Sequence, residues 1–476
     1  MKKYGILGAV AAVVVAAVAG WFIFRGSNDS MASSLPKDVT MVARIDLKGL
    51  VLDYGLSLKE AKELLFSKKD TKETGLDLFT PAYVFSSKGY LGVIIAVSDA
   101  DKLETYLKIN ENIGNIEEQR GLKWCVLDGN VLMGFSDDRI MIVGPAVGYE
   151  QEELRNMVAT CLEQKASESG KQSRLYKLMD KRSEPVSLAL NSSLVPEDFL
   201  LREVPWLLKK MNLSAIDLVA GLTVKKEKID MGVTLNTEDK NVEKIWENID
   251  DVLQPIDGDL LESTPQNALI HLALGMDGED MLELLREDQT VRTALLMINA
   301  LFDFDMMLKN IDGDVSLAMF PPTSVGDVAH DFLFQAELDD DKFMKNIMSW
   351  NDDVAHDVGV SFYAKDAHHG ICKVGNDLEL FFATPKGKRL AISNSEARVE
   401  KQEARSEKWE TGVKGNRIFF AINPKELNQS GFWGVDVPML NLFDSFTVGM
   451  PRVSEMKIEM TFSEGVDLLK ELNLTD

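Results

Sequence analysis

Pro36-Lys-Asp-Val-Thr-Met-Val-Ala-Arg-Ile-Asp46 opens with a proline and a polar turn, then alternates apolar and polar residues, the period of a half-buried strand. Its outline returns in Pro265-Gln-Asn-Ala-Leu-Ile-His-Leu-Ala-Leu-Gly275. Further matches follow in the same order. Asp99-Ala-Asp101-Lys102-Leu103 answers to Asp339-Asp-Asp341-Lys342-Phe343, and Asp138-Arg139-Ile140 to Lys388-Arg389-Leu390. Val186-Ser-Leu188-Ala189-Leu190-Asn191 answers to Ile418-Phe-Phe420-Ala421-Ile422-Asn423, Val204-Pro205 to Val437-Pro438, and Val233-Thr234-Leu235 to Met460-Thr461-Phe462. Matches kept in order over a long chain predict an internal duplication. The expected organisation is a signal anchor and tether over 1–33, module one over 34–252 and module two over 263–476. Pro255-Ile-Asp-Gly258-Asp259 serves as the linker and Asn28 to Ser34 as the tether.

Within each half, period-two strands dominate: Val39 to Asp46, Ala82 to Ser86, Leu91 to Val97, Trp124 to Leu127, Val131 to Phe135 and Arg139 to Val143. Short turns such as Asp128-Gly129-Asn130 and Ser136-Asp137-Asp138 imply antiparallel neighbours. Helical spacing covers Ser57 to Phe66, Asp99 to Leu107, Glu150 to Glu168, Val195 to Met211, Asn241 to Leu253 and Glu279 to Phe302. Asp99 and Asp339 stand where helix N-caps belong, with Asp101 and Asp341 in the first turn. The fold class expected is α+β, each half a largely antiparallel sheet with helices on one face.

Ahead of these modules, Tyr4 to Phe24 is a run of twenty-one residues without a charge, flanked by Lys2-Lys3 and Arg25. As a helix it spans about 31 Å, enough for a bilayer core of about 30 Å. The pattern Ala17-Val18-Ala19 also fits a cleavable signal peptide. Cleavage there would expose Trp21-Phe22-Ile23-Phe24, so an uncleaved anchor with the bulk of the chain outside the cytoplasm is the expectation. The formal net charge of −24, from 76 acidic and 52 basic residues, opposes binding to nucleic acid and to anionic lipid. Three scattered cysteines make neither a disulfide framework nor a metal motif.

The opening strand, Gly75-Leu-Asp-Leu-Phe-Thr-Pro81-Ala-Tyr-Val-Phe85 and the strand Leu91 to Val97 leading into Asp99-Ala-Asp-Lys-Leu103 resemble the domain of unknown function 4836 family. That resemblance implies an exported bacterial envelope protein with no assigned activity. Members commonly carry a lipoprotein signal, which needs a cysteine just after the apolar run. No cysteine precedes Cys125, so a protein anchor takes its place.

Candidate chemistry is sparse. His271, His330, His356, His368 and His369 all lie in the second half, so a site shared by both modules has no histidine in the first. His368-His369 with Cys372 is the sharpest metal-like cluster, but it falls short of a ligand set and reads as a polar turn. Cys125 and Cys372 occupy comparable strands and read as core residues without a base beside them. Asp303-Phe-Asp305, Asp312-Gly-Asp314, Asp339-Asp-Asp341 and Asp352-Asp353 invite a calcium reading. Leu253 and Leu308 stand where an EF-hand's first ligand would be, so capping and solvated loops explain these aspartates better. Ala383-Thr-Pro-Lys-Gly-Lys388-Arg389 lacks the spacing of a phosphate loop and reads as a turn. The Met-rich helix expected over Glu279 to Leu308 packs a core or lines an apolar pocket.

No catalytic, cofactor or metal residues are therefore assigned. The functional expectation is a membrane-tethered envelope protein that binds an envelope protein or small ligand. A carrier of a hydrophobic ligand and a hydrolase using acidic residues are the alternatives.

Overall fold

The computed structural model describes residues 25–26, 31–57, 59–60, 74–109, 113–127, 130–145, 151–195, 211–260, 267–299, 303–321, 330–340, 342–347, 360–375, 378–385, 388–400, 409–430 and 437–471. The run Tyr4 to Phe24, the turn at Asp128-Gly129, most of the stretches Ser57 to Phe66 and Val195 to Met211, Asp341, Asp352-Asp353 and His356 lie outside them. Among the described residues no helix is long and apolar enough to cross a membrane. The chain forms two compact units: Met1–Lys240 with Asp467–Asp476, and Asn241–Val466.

Unit 1 carries β1 (Arg25–Gly26), β2 (Val39–Ile45), β3 (Leu76–Phe79), β4 (Ala82–Ser87), β5 (Tyr90–Val97), β6 (Glu117–Gln119), β7 (Leu122–Leu127), β8 (Val131–Phe135), β9 (Arg139–Gly144), β10 (Val186–Asn191), β11 (Ile216–Val224) and β12 (Lys228–Thr237). The order across the sheet is β12-β11-β10-β2-β4-β5-β9-β8-β7-β6, with every neighbouring pair antiparallel. Lys88-Gly89 and Arg120-Gly121 both take positive φ, the two-residue turn whose twist matches that of the strands it joins.

The inner face of this sheet meets α3 (Gln151–Glu163) and α4 (Arg174–Met179), the two helices that follow α1 (Leu47–Asp53) and α2 (Ala100–Lys108) in the chain. Leu154, Val158, Tyr176 and Met179 from these helices share one core with Val42, Phe85, Ile94 and Trp124. Asp46 and Asp99 cap α1 and α2 by accepting from Gly49 N and Lys102 N, each at 3.0 Å, the second as the sequence predicts. The tether expected over Asn28 to Ser34 is corrected from Met31 on, Asn28 to Ser30 lying outside the described residues. Met31–Ser34 is a short 3-10 helix, and Met31, Ala32, Ser34 and Leu35 are buried because their small and apolar side chains fill the unit 1 core.

The last residues of the chain also belong to unit 1, where the Tyr54 hydroxyl donates to Asp467 Oδ1 at 3.0 Å. Tyr54→Phe is expected to lower the stability of unit 1 by about 1 kcal/mol, as for a half-buried hydrogen bond to a carboxylate. Urea unfolding indistinguishable from wild type would rule that contribution out.

Unit 2 carries β13 (Leu253–Gln254), β14 (Ile270–Asp277), β15 (Ile311–Phe320), β16 (Asp331–Leu338), β17 (Val360–Ala364), β18 (His369–Val374), β19 (Leu378–Ala383), β20 (Arg389–Ser393), β21 (Ile418–Ile422), β22 (Phe443–Arg452) and β23 (Glu455–Phe462). Its order is β23-β22-β21-β14-β15-β16-β20-β19-β18-β17, again antiparallel throughout. The α+β class is thus as expected, with a large antiparallel sheet in each unit.

Three local readings are corrected in unit 2. The helix expected over Glu279 to Phe302, or on to Leu308, is three: α6 (Gly278–Arg286), α7 (Gln289–Asn299) and α8 (Phe304–Lys309), following α5 (Lys240–Val252). The breaks have a cause. Asp288 accepts from Thr290 N and Val291 N, and Asp303 from Met306 N, so each aspartate starts a new helix. Asp340, not Asp339, accepts from Lys342 N, while Asp339 N donates to Asn310 O. Pro255 to Asp259 is not a linker between the units but part of unit 2, with Ile256 buried and the backbone of Asp257 and Gly258 held by Asp314.

Candidate functional site

Antiparallel sheets with one solvated face alternate apolar and polar side chains. The four central strands of unit 2 do not. On β14, His271, Ala273 and Gly275 are buried on the inner face, while Ile270, Leu272 and Leu274 on the outer face are half-buried. Leu272 lies opposite Leu317 on β15 and Phe420 on β21; Ile270 lies opposite Met319 and Ile422. Leu317 and Met319 in turn face Phe334 and Phe332 on β16. These side chains make a contiguous apolar patch, in which Leu317 is 36% exposed. Unit 1 shows a smaller version, with Met41, Ala43, Val84 and Val93 half-buried and Leu91 exposed. The sequence carries the signal, because Asp314-Val-Ser-Leu-Ala-Met-Phe320 and Ile418-Phe-Phe-Ala-Ile422 have few outward polar residues.

A second feature brings together carboxylates far apart in the chain. Asp257, Asp314 and Glu337 each place an oxygen within 4.8 Å of the others. Asp314 is 3% exposed and accepts from Gly258 N at 2.8 Å and Asp257 N at 3.2 Å. Glu337 accepts from Asp314 N at 3.2 Å, and Arg389 reaches both Glu337 at 3.4 Å and Asp259 at 3.1 Å. Burial, with the charge of Asp257 adding to it, pushes the Asp314 carboxyl up to about 7; burial also raises Glu337. Carboxylates in this number are the donor type a divalent cation takes. Here Arg389 supplies the positive charge and backbone N–H groups occupy Asp314. The cluster's demonstrable work is to hold the Asp257-Gly258 turn on β15.

The third feature is His271, fully buried in β14. Its Nε2 lies 3.2 Å from Ser316 Oγ, and its ring stacks on Trp409 at 5.7 Å between centroids, tilted by 6°. A serine beside an imidazole is the start of a nucleophile-base pair. Among the described residues His271 Nδ1 has no hydrogen-bond partner to orient it, and Ser316 is 2% exposed, so the pair is a core hydrogen bond rather than a catalytic dyad. Burial pushes the imidazole down to about 4.

The remaining sequence candidates do not converge. His369 pairs with Asp366 at 2.9 Å and His368 Nδ1 lies 3.3 Å from Thr384, while Cys372, three residues along the same strand, points to the opposite face from His369. His330 sits beside β16, its carbonyl accepting from Asn394 at 3.2 Å. Cys125 and Cys372 are buried, and burial pushes both thiols up to about 11 and Cys161 to about 12, which leaves them inert as nucleophiles. Cys125 lies opposite Met133 on β8, and Cys372 opposite Phe362 on β17 and Leu380 on β19. Ala383 to Arg389 joins β19 to β20 in an antiparallel pair, the turn expected. Met306 lines a hollow of about 420 Å³, but Arg286, Asp303, Asp305, Lys309 and Asn310 make it polar rather than apolar, and Met297 is exposed.

A family model described as Domain of unknown function (DUF4836) matches residues 51–423. The chain belongs to the DUF4836 family. The match takes in β3 to β21, so the apolar patch, the carboxylate cluster and His271 all fall inside the DUF4836 region. No curated protein matches the chain. Among solved structures, crystal form III of TP0453 is similar at 11% identity over 49% of this chain and 92% of that one, with a TM-score of 0.29. Crystal form IV of TP0453 is similar at 8% identity over 43% and 79%, with a TM-score of 0.28. Likeness at that level fixes neither the fold nor the function of this DUF4836 protein.

Proposed function

We propose that this chain is an exported envelope protein, tethered by the uncharged run Tyr4 to Phe24, in which two copies of one module offer an apolar sheet face to a hydrophobic ligand or partner. The observation that carries the binding role is the outer face of unit 2, where half-buried Leu272 and Phe420 stand side by side with exposed Leu317. Burying such a face releases about 25 cal/mol per Å², so an apolar partner gains affinity without a dedicated polar site.

Duplication is supported by the two strand orders, which match strand for strand, and by their registers. Ile45 lies opposite Val186 and Ala82 as Leu274 lies opposite Ile418 and Val315. Ile94 lies opposite Tyr83 and Met141 as Gln335 lies opposite Ser316 and Ala391. Arg139 and Arg389 open corresponding strands, and each reaches back to the segment before the first strand of its sheet, at Ser34 and at Asp259.

Leu272→Lys is expected to weaken binding of a fluorescent fatty-acid probe by about tenfold, since a charge on the patch removes about 1.4 kcal/mol or more. Unchanged probe affinity in a folded Leu272→Lys protein overturns the binding role. Protease added outside spheroplasts is expected to digest both units, and full protection overturns export.

A further inference from the structure

We propose that unit 1 is seated on the bilayer by one end of its sheet, the end where β5 finishes at Val97 and β9 begins at Arg139, with the Lys88-Gly89 turn directed away from the membrane. The inference rests on the anchor reading above and adds an orientation to it.

The uncharged run ends at Phe24, and the next two residues are already β1. β1 is fixed to unit 1 by its backbone, running parallel to β3 with Arg25 opposite Leu78 and Gly26 opposite Phe79. β3 in turn pairs with the last residues of β5, Leu76 opposite Val97 and Asp77 opposite Ala96. The described chain therefore enters the sheet at its Val97 end, with β1 following Phe24 directly in sequence.

A second fixed point follows at once. Leu35 is fully buried, and the Gln164 amide donates to the carbonyls of Ser33 at 3.0 Å and Leu35 at 2.8 Å. Arg139, the first residue of β9, donates to Ser34 Oγ at 2.9 Å. From there the chain passes to Val39, which lies opposite Ser87 at the other end of the sheet. The entering strand and the core-bound segment after it thus hold the same end of unit 1 to the run.

β5 spans Tyr90–Val97, so the two ends of the sheet are separated by about 23 Å along the strands. Asp137, in the turn before β9, marks the seated end, and Asp38, beside Val39, marks the far end; both are exposed. The three native thiols are buried, so Asp137→Cys and Asp38→Cys can each be labelled with a donor in the full chain. The full chain is reconstituted into phosphatidylcholine vesicles whose headgroups carry an acceptor dye in both leaflets. Energy transfer from Asp137→Cys is expected to exceed that from Asp38→Cys by about twofold or more, given the separation along β5. Insertion of about twelve Gly and Ser residues between Phe24 and Arg25 is expected to abolish the difference, since a linker of that composition is a flexible coil. Equal transfer from the two sites without the insertion, or greater transfer from Asp38→Cys, overturns the seating while leaving the tether intact. A chain that stays in the supernatant when the vesicles are pelleted overturns the tether and the seating together.

Discussion

Replacing Asp314 with asparagine is expected to stabilise unit 2 by about 4 kcal/mol near pH 8 and to change it little near pH 4. The Asp314 carboxyl is almost fully buried, and burial, reinforced by the negative charge of Asp257, lifts it to about 7. An acid whose folded pKa lies above its unfolded one, about 3.8, contributes fully below that value and loses the contribution as pH rises through the folded pKa. A shift of that size corresponds to about 4 kcal/mol. The two proteins should therefore diverge in urea unfolding as pH rises from about 4 to about 7. A gap that is the same at both ends of that range would exclude Asp314 as the titrating group.

The second expectation runs in the opposite direction along the pH axis. His271→Val places in β14 the residue that occupies the matching register of β2, Val42. Near pH 7.5 the exchange is expected to be close to neutral, because the lost bond to Ser316 is offset by removing an imidazole whose Nδ1 has no partner among the described residues. Toward pH 5 the variant should gain about 2 kcal/mol over wild type. Burial holds His271 at about 4, below the ordinary value near 6.5. A base depressed in this way contributes its full stability above the unfolded pKa and loses it as pH falls toward the folded one. Protonation would add a charge and a second N–H donor against Ser316, Trp409 and Phe419, none of which is anionic. Asp314 titrates identically in both proteins, so the variant-to-wild-type ratio isolates His271. Hydrogen exchange of the β14 and β15 amides measures that ratio within unit 2, and a ratio independent of pH would refute the assignment.

Much of the fold was legible in local sequence. Val39 to Asp46, Leu91 to Val97 and Arg139 to Val143 alternate with period two, and a strand has that period whatever surrounds it. Asp99 was legible as a cap because an N-cap is settled within one turn of helix. The misreadings share a cause. Met31-Ala-Ser-Ser34 is short and mostly small, so in isolation it resembles a tether, and only the space beneath the sheet and the reach of Gln164 and Arg139 turn it into core. The Met-rich run from Glu279 keeps helical spacing throughout, but Asp288 and Asp303 divide it by competing for backbone N–H groups, a contest that periodicity does not weigh.

The candidate sites were less legible than the strands. Asp257, Asp314 and Glu337 come from a turn and two strands, and their proximity depends on the pairing of β15 with β16. Asp314 was visible in sequence only as one of several aspartates beside glycine. His271 was visible only as a histidine on an apolar strand, and its enclosure requires Trp409, far along the chain, to stack on it.

The sequence by itself determined the uncharged run, the alternating strands, their short turns and the Asp99 cap, because each depends on residues within a few positions of one another. It also placed the chain in the DUF4836 family, whose region spans both sheets. Only the tertiary structure decided which face of each strand is left half-covered, which carboxylates crowd together, and that Arg25 and Gly26 pair with β3. Burial and electrostatics are set by what distant segments bring alongside a residue, and no local pattern carries that information.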